Sequence, residues 1–321
     1  MTVVPSAEVV LIIAREDDLH ALTVAWELRQ RNVDSVIIDL ADFPQRWLLS
    51  VYPGEGATTR YAVTLANGRI IGSEAISGVW WRRTSRFRIP DAVRSRKHRQ
   101  FCLAECRELI EGWILTLGTR VINPLGRERV ASNKIHQLQA ASACGLNVPS
   151  TLVTNDPEDV HKLYERHPSG LIYKILAAHA DMPTPFTREL TKRASAKLDH
   201  LVSGPSIFQE TITGGLDIRV TLVDRNLFAA EIATSSDQAR VDWRIDPNHI
   251  TRPHRLPDDL VETLHRLHAE LGLRYGAYDF RMDSAGVYWF LEVNTAGQYL
   301  WLETEAGHRI SGALADALIQ G

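Results

Sequence analysis

A continuous apolar segment near the start of the chain constrains the fold most. Residues 9–14 (VVLIIA) carry no polar side chain, which is typical of a strand buried on both faces. Residues 16–31 follow with Leu19, Leu22 and Trp26 at helical spacing, and residues 33–40 supply a second strand. A strand, a helix and a strand within about 30 residues predict a βαβ unit with a parallel sheet. The fold class is therefore α/β.

The remaining segments predict further layers. A length of 321 residues with 45% hydrophobic content suits about two domains with real cores. A short strand at residues 121–124 closes the first unit, so we place a boundary near residue 125. Helices are predicted at residues 91–118, 128–144, 157–167 and 258–271. Strands are predicted at 58–71 (a hairpin), 78–83, 150–153, 171–176, 206–212, 217–223, 227–233, 276–283 and 287–294.

Charge and composition exclude several classes of function. The net charge is −3 and the pI is about 6.5, so no global basic field exists to hold nucleic acid or an anionic membrane. No segment approaches the roughly 18 apolar residues of a membrane span. Cys102, Cys106 and Cys144 are odd in number and lack metal-ligand spacing, which indicates reduced thiols and a cytoplasmic protein.

The last predicted hairpin brings two carboxylates together. If Ala285 and Gly286 form a two-residue loop, Asp279 lies opposite Glu292, and strand alternation places Asn294 on the same face. Adjacent carboxylates repel unless a cation lies between them. Oxygen ligands suit magnesium, which also bridges nucleotide phosphates. An acidic patch on a solvated face is the alternative, but the aromatic flanks of both strands indicate a buried sheet, where unpaired carboxylates are costly.

These residues resemble a known family. Asp279-Phe280-Arg281 and residues 290–294 (FLEVN) look like the metal-binding end of ATP-grasp ligases. More closely, the chain resembles the peptide maturases that form ester or amide crosslinks in graspetides, the microviridin-type ribosomal peptides. The family usually has Pro after the asparagine ligand, whereas this chain has Thr295. The other matching segments are residues 80–83 (WWRR), 133–134 (NK), 148–151 (VPST), 217–220 (DIRV) and 241–244 (VDWR).

The resemblance implies an ATP-grasp fold with a pre-ATP-grasp domain at residues 1–125. A central subdomain at 126–205 and a C-terminal subdomain at 206–321 would clasp ATP and Mg²⁺. The implied reaction activates Asp or Glu side chains of a ribosomal precursor peptide as acyl phosphates and joins them to Ser, Thr or Lys side chains. The implied partner is that peptide with its leader segment, and a homodimer is left open.

Candidate nucleotide contacts lie in the middle of the chain. Lys174 falls inside an apolar strand, where a buried ammonium needs an anionic partner such as a phosphate. The resemblance assigns Lys174 and Lys134 to ATP phosphates, against the alternative of solvated lysines. It also assigns Gln209 and Glu210, just before a Gly-Gly pair, to the adenine edge and the ribose. An exposed polar pair at a strand end is the alternative.

Two arginines are candidates for the chemistry itself. Arg219 follows Asp217 by two residues and shares its strand face, and Arg244 lies in a second apolar stretch. Because a planar guanidinium grips carboxylates and phosphates with two bonds, we expect Arg219 at the transferring phosphoryl group and Arg244 at the acceptor carboxylate. A structural ion pair, for instance between Arg219 and Glu231, is the alternative.

No nucleophilic triad is evident, and phosphoryl transfer does not require one because positioning and charge neutralisation carry it. His179, His249 and His254 fall in predicted loops and are candidates to assist proton removal. The sequence contains no P-loop and no dinucleotide fingerprint.

Two other functions stay open. An ATP-grasp ligase that adds free amino acids to a peptide or protein is the first, and a non-catalytic nucleotide- or leader-binding module is the second. A neighbouring gene for a short peptide rich in Thr, Asp and Glu would favour the maturase over the amino-acid ligase. Intact candidate ligands argue against the module.

Overall fold

The computed structural model of the chain describes residues 8–54, 59–177, 187–235 and 241–321. The elements of its first part are β1 (Val9–Ile13), α1 (Leu19–Gln30), β2 (Asp34–Ile38), β3 (Leu48–Tyr52), β4 (Arg60–Thr64), β5 (Ile70–Gly72), β6 (Ile76–Trp81), α2 (Arg96–Thr116) and β7 (Val121–Ile122). Strands β2, β1, β6 and β7 form a parallel sheet in that order, which confirms the predicted βαβ unit. Strands β3, β4 and β5 form a separate antiparallel sheet.

Strand β1 is buried along its whole length, as its apolar run predicts. Alternate residues contribute to two cores, one on each face of the sheet. The predicted face of α1 was wrong, because Leu19 and Trp26 are 67% and 55% exposed. The helix instead buries Ala21, Val24 and Leu28. These side chains pack in the same core cluster as Ile12 and Leu314, and hydrophobicity alone does not reveal which face of the helix does so.

The elements of the middle part are α3 (Leu125–Ala131), α4 (Lys134–Ala143), β8 (Thr151–Thr154), α5 (Pro157–Arg166), β9 (Leu171–Lys174), β10 (Arg188–Glu189), α6 (Lys192–Ser195) and β11 (Ser206–Glu210). The single helix predicted at 128–144 is two helices, because the Asn133 side chain accepts from the backbone N–H groups of Ile135 and His136 and starts α4. The antiparallel sheet has the order β10-β9-β11-β8. Because β11 belongs to this sheet, the boundary between the second and third parts fits better after Glu210 than at the predicted residue 205. The division into three parts stays a proposal.

The elements of the last part are β12 (Leu216–Val223), β13 (Asn226–Ala233), β14 (Ile250–Pro253), α7 (Asp258–Glu270), β15 (Tyr275–Met282), β16 (Tyr288–Asn294), α8 (Leu300–Ala306) and α9 (Ile310–Gln320). The antiparallel sheet β14-β13-β12-β15-β16 buries one face against α4 and α7, through residues such as Ile218, Tyr278 and Phe290. Its other face carries the predicted site. Within the residues that the structure describes, no helix has the length and hydrophobicity that a bilayer crossing requires.

Candidate active site

The β15–β16 hairpin pairs Asp279 with Glu292, as predicted, but its loop and register differ from the prediction. The predicted two-residue loop was wrong, because Met282 pairs with Tyr288 and the connection between these two residues is longer than the prediction allows. One extra residue, Leu291, lies unpaired between Phe290 and Glu292 and restores the predicted pairing. Further along, Asn294 pairs with Ala277, two residues before Asp279. All three candidate ligands therefore share one face of the sheet.

Each carboxylate of the pair contacts a cation from another element. The Lys134 ammonium donates to Glu292 Oε2, and the Arg219 Nε lies 2.9 Å from Asp279 Oδ1. Arg219 reaches Asp279 because the two are direct partners across β12 and β15. The alternative pairing of Arg219 with Glu231 is wrong, since Arg219 lies opposite Ala230 and Glu231 contacts His254.

Lys134 reaches the hairpin because α4 is fastened to β16. One turn after Lys134, the buried Gln137 accepts from the Val293 N–H and donates to the Val293 carbonyl at 2.8 Å. Both backbone groups of Val293 lie on the open edge of β16, so Gln137 substitutes for a missing neighbouring strand. Sequence analysis missed this residue; a glutamine on the apolar side of a helix was the available signal.

Lys174 and Arg244 complete the charged cluster. Burial lowers the pKa of the Lys174 ammonium, while the nearby Glu292 and Asp279 carboxylates oppose that change. Arg244 lies in a short 3₁₀ turn, where its Nε donates to Asp242 Oδ1 at 2.7 Å. The hydrogen bond with Asp242 raises the pKa of Arg244, and Glu292 and Asp279 add to it from further away.

The electrostatics of the carboxylate pair are asymmetric. Burial raises the pKa of Asp279 despite its Arg219 partner, and the Glu292 charge adds to the rise. Burial also disfavours the charged form of Glu292, but Lys134 and Lys174 outweigh it and hold the pKa of that carboxyl low. Four cationic side chains thus surround two carboxylates, with a third carboxylate, Asp242, on Arg244. This excess of positive charge suits a polyanion such as a nucleotide triphosphate.

The third oxygen ligand is an amide. In the described part of the chain, no three His, Cys, Asp or Glu side chains gather into a metal site. Asn294 is exposed, and its Oδ1 accepts from the Ala296 N–H at 3.1 Å. Two carboxylates and an amide on one face are the oxygen-only donors that magnesium prefers, with phosphates and waters filling the other positions. The residues therefore fit the metal that the sequence predicts.

Gln209 and Glu210 lie apart from this cluster. Gln209 is fully buried in β11, where its amide donates to Thr151 Oγ1 at 2.9 Å. The Glu210 carboxylate accepts from the Ser150 N–H at 2.7 Å and lies 3.1 Å from His167 Nδ1. Both side chains join β11 to its neighbours in the central sheet, and their contact with a nucleotide stays a prediction.

The candidate histidines differ in their surroundings. His179 falls outside the described residues. His249 packs against the Trp243 ring at 4.9 Å, and Trp243 in turn packs against Trp301. His254 lies 2.8 Å from the Tyr288 hydroxyl and 3.0 Å from Glu231. Sequence analysis did not single out Trp301, whose ring lies beneath the Arg219 guanidinium at 5.9 Å.

Comparisons with known proteins agree with this geometry. Residues 9–129 match the family model described as the MvdD pre-ATP grasp domain. The macrocyclase MdnC of Microcystis aeruginosa MRC, solved with its precursor peptide MdnA, is 29% identical with a TM-score of 0.85; the match covers 98% of this chain and 100% of MdnC. The chain is an ATP-grasp ligase. The resemblance predicted from its motifs is confirmed.

Two further structures are similar to this ATP-grasp ligase. The RiPP-associated ATP-grasp ligase of Chryseobacterium gregarium, solved with ADP and a leader and core peptide, is 25% identical with a TM-score of 0.87, over 97% of this chain and 96% of that one. PsnB, solved with a phosphomimetic minimal precursor, Mg and ADP, is 27% identical with a TM-score of 0.77, over 98% of each chain. None of the curated proteins matches the chain.

Proposed function

We propose that this ligase transfers the terminal phosphate of ATP to an Asp or Glu side chain of a ribosomal precursor peptide and then closes an ester or amide ring with a Ser, Thr or Lys side chain. The observation that carries the proposal is the cation-rich cluster around the paired carboxylates Asp279 and Glu292. Full-length similarity to ligases solved with precursor peptides and adenine nucleotides supports it.

Asp279, Glu292 and Asn294 would hold magnesium, which when bound neutralises charge on the phosphates of ATP. Lys134 and Lys174 bind phosphate oxygens. Lys134 would exchange its partner Glu292 for a phosphate oxygen when the Glu292 carboxylate binds the metal. The negative charge of a triphosphate would favour the protonated form of Lys174 and so oppose the effect of burial on its pKa. Gln209 and Glu210 are assigned to the adenine and ribose end by resemblance.

The reaction has two displacements. A peptide carboxylate oxygen attacks the terminal phosphorus of ATP, the bond to the bridging oxygen breaks and ADP leaves. A hydroxyl or amine then attacks the acyl carbon, phosphate leaves, and the proton of the attacking group passes to phosphate or solvent. Arg219, held against Asp279 and Trp301, stabilises charge on the transferring phosphoryl group. Arg244 holds the acceptor carboxylate.

The leader segment of the peptide would bind away from the nucleotide and keep several acceptor side chains near one site, which raises their effective concentration. Neither nucleic acid nor a membrane has a part in this proposal. A homodimer stays a prediction that light scattering of the purified protein would measure.

Mass spectrometry tests the proposal directly. Any short Thr-, Asp- and Glu-rich peptide encoded beside the gene is incubated with the protein and MgATP. We expect loss of one water for each ring and release of ADP with phosphate. A mass gain equal to an amino-acid residue would instead establish the amino-acid ligase, and AMP with pyrophosphate would exclude the acyl-phosphate mechanism. Binding without any change in mass or ATP would leave the non-catalytic module.

A further inference from the structure

The loop that follows the candidate metal ligand Asn294 is held by a buried arginine of the first part of the chain. We call residues 294–297 the ligand loop. Arg82, at the end of β6, is 2% exposed, and its Nη1 donates to the carbonyls of Ala296 at 2.7 Å and Gly297 at 3.1 Å. Each carbonyl also accepts from a second side chain, Ala296 from the Arg83 Nε at 3.0 Å and Gly297 from the Tyr275 hydroxyl at 2.8 Å. Among the described residues, Arg82 is the one side chain that binds both carbonyls, from more than 200 residues away in sequence.

A second side chain of the first part, the buried Asn123, holds the same loop from the other side. Its amide nitrogen donates to the Thr295 carbonyl at 3.0 Å and to the Tyr275 carbonyl at 2.8 Å. Its oxygen accepts from the N–H groups of Arg274 and Tyr275. Asn123 thus makes four hydrogen bonds and ties the start of β15 to the ligand loop at the end of β16.

Arg82 is linked to the Asn294 side chain through a single residue, Ala296. Asn294 Oδ1 accepts from the N–H of Ala296, the residue whose carbonyl Arg82 binds. The loop has little room to relax elsewhere, because a Cβ added at Gly297 would lie 2.4 Å from the Ala277 Cβ on β15. A shift of the Ala296 peptide therefore moves the amide that would coordinate the metal.

A contribution to stability does not explain why the charged Arg82 side chain is buried here. Removing a guanidinium from water costs several kcal/mol unless a counter-charge and full hydrogen bonding compensate. The Asp18 carboxylate lies 3.6 Å from the Arg82 Nε, and the Nη2 has no hydrogen-bond partner among the described residues. An uncharged residue would fill the space at lower cost, but it could not fix two carbonyls at once.

We infer that Arg82 and Asn123 are positioning residues for the magnesium ligand Asn294, so that the first part of the chain sets the geometry of the metal site. The inference rests on the proposed function, because it requires Asn294 to bind the metal. Residues that orient metal ligands typically change metal affinity about 10- to 100-fold when they are replaced. An effect of this kind is separable from folding and from nucleotide binding without metal.

Calorimetric binding of ADP, with and without MgCl₂, tests the inference on the full chain without any peptide. We expect Arg82→Met and Asn123→Ala to leave the affinity for ADP alone unchanged and to weaken its enhancement by Mg²⁺ about 10-fold. Arg82→Lys should resemble Arg82→Met, because an ammonium does not reproduce the fork of the guanidinium. It serves as the second variant if Arg82→Met fails to fold.

Arg31→Gln is the matched control. Arg31 also joins the first part to the last part, through the Gly312 carbonyl at 3.2 Å and Asp316 at 2.6 Å, but it does not contact the ligand loop. We expect this variant to keep the full Mg²⁺ enhancement. Equal losses in Arg31→Gln and Arg82→Met would overturn the inference, since general tethering of the two parts would then explain both.

A double-mutant cycle separates the inference from the proposed function. If Arg82 acts through Asn294, adding Arg82→Met to Asn294→Ala causes no further loss of Mg²⁺ enhancement. Additive losses, or no loss in Arg82→Met when Glu292→Gln and Asn294→Ala lose it, overturn the inference and leave the metal site standing. If Glu292→Gln and Asn294→Ala both keep the enhancement, the metal assignment fails and the inference fails with it.

Discussion

The C-terminal hairpin and the central strand β11 were both predicted to contact the nucleotide, and their side chains have different surroundings. In the hairpin, Asp279 and Glu292 contact cations from two other elements, Arg219 of β12 and Lys134 of α4, and the charge of Lys174 also lowers the pKa of Glu292. In β11, Gln209 and Glu210 make hydrogen bonds within their own sheet. The hairpin groups are therefore available to exchange partners with a ligand, whereas the β11 groups must first give up structural bonds.

Alternation along a strand therefore assigns a side chain to a face of the sheet, but it does not determine the free energy of exchanging that side chain's partners. A charged group whose partners are other charged side chains can exchange them for a phosphate or a metal, because the ligand supplies new charged partners. A group bonded to backbone N–H, as Glu210 is, leaves an unsatisfied donor when it moves. Four experiments test this difference between the hairpin and β11.

The largest effect is expected for Glu292→Gln. Loss of one carboxylate from the metal site should reduce turnover about 1000-fold or more, because charge neutralisation by the metal supplies several kcal/mol of transition-state stabilisation. Rates of ADP release with the precursor peptide measure this, and circular dichroism confirms that the variant is folded. Glu231→Gln is the matched control, since Glu231 lies in the same sheet but contacts His254. Normal turnover in folded Glu292→Gln would remove the metal assignment.

The next effect is expected for Lys174→Met, which keeps the length of the side chain and removes its charge. Because Lys174 faces Glu292 and Asp279, we expect kcat/KM for ATP to fall about 100-fold through lost phosphate contacts. Lys162→Met is the control from the same part of the chain, as Lys162 is exposed and contacts only Asp159 among the charged residues that the structure describes. If the two variants behave alike, Lys174 is a structural residue.

The sequence was sufficient to predict that Asp279 and Glu292 face each other, because strand period and pairing are local. Asp279 faces Glu292 even though the register next to the loop differs by one residue from the prediction, since the unpaired Leu291 compensates for it. That compensation had no signal in the sequence. The break at Asn133 that places Lys134 at a helix start was readable in principle, because asparagine is a preferred N-cap.

What the sequence did not predict depends on long-range packing. Leu19 and Trp26 look like a buried stripe but face outward, because contacts with distant elements decide which side of α1 is covered. Arg82 appears in the sequence only as part of the matching segment 80–83, and no pattern singles out Asn123. Their partners lie in the ligand loop, far away in sequence, and no periodicity or motif connects such positions.

A smaller effect, on stability, is expected from Asp217. It forms an ion pair with Arg281, which is its direct partner across β12 and β15, next to the pair of Arg219 and Asp279 on the same face. Burial raises the pKa of Asp217 to about 6 from 3.8, despite Arg281. A raised carboxyl pKa means that the folded state binds the proton more tightly. The contribution of this group to stability is therefore greatest below pH 4 and falls as the pH rises through 6, by about 3 kcal/mol in total.

Urea unfolding of Asp217→Asn from pH 4 to 8 measures this contribution. Relative to the variant, the wild-type protein should lose stability as the pH rises. Asp283→Asn is the control of opposite sign, because the Trp289 indole and backbone N–H groups hold the pKa of Asp283 below its usual value. Its stabilising contribution is lost only as the pH falls below the ordinary carboxyl pKa of 3.8, so wild type and Asp283→Asn should give parallel curves between pH 4 and 8. Parallel curves for wild type and Asp217→Asn would contradict the assignment.

The smallest effect on ATP use is expected for Glu210→Gln, and it tests the comparison most directly. Glutamine keeps an oxygen to accept from the Ser150 N–H but loses the charge facing His167, so we expect the free energy of unfolding to fall by about 1 kcal/mol. The KM for ATP should change less than about threefold, since that carboxylate is occupied within the central sheet. ATP titrations of ADP release and urea unfolding measure the two quantities on the same samples.

Gln209→Leu is the companion variant, since Gln209 donates to Thr151 in the same sheet. A rise in the KM of Glu210→Gln above about tenfold, with unfolding unchanged, would show that Glu210 leaves Ser150 to bind the ribose. In that outcome the sequence-based assignment holds, and β11 becomes as much a part of the nucleotide site as the hairpin.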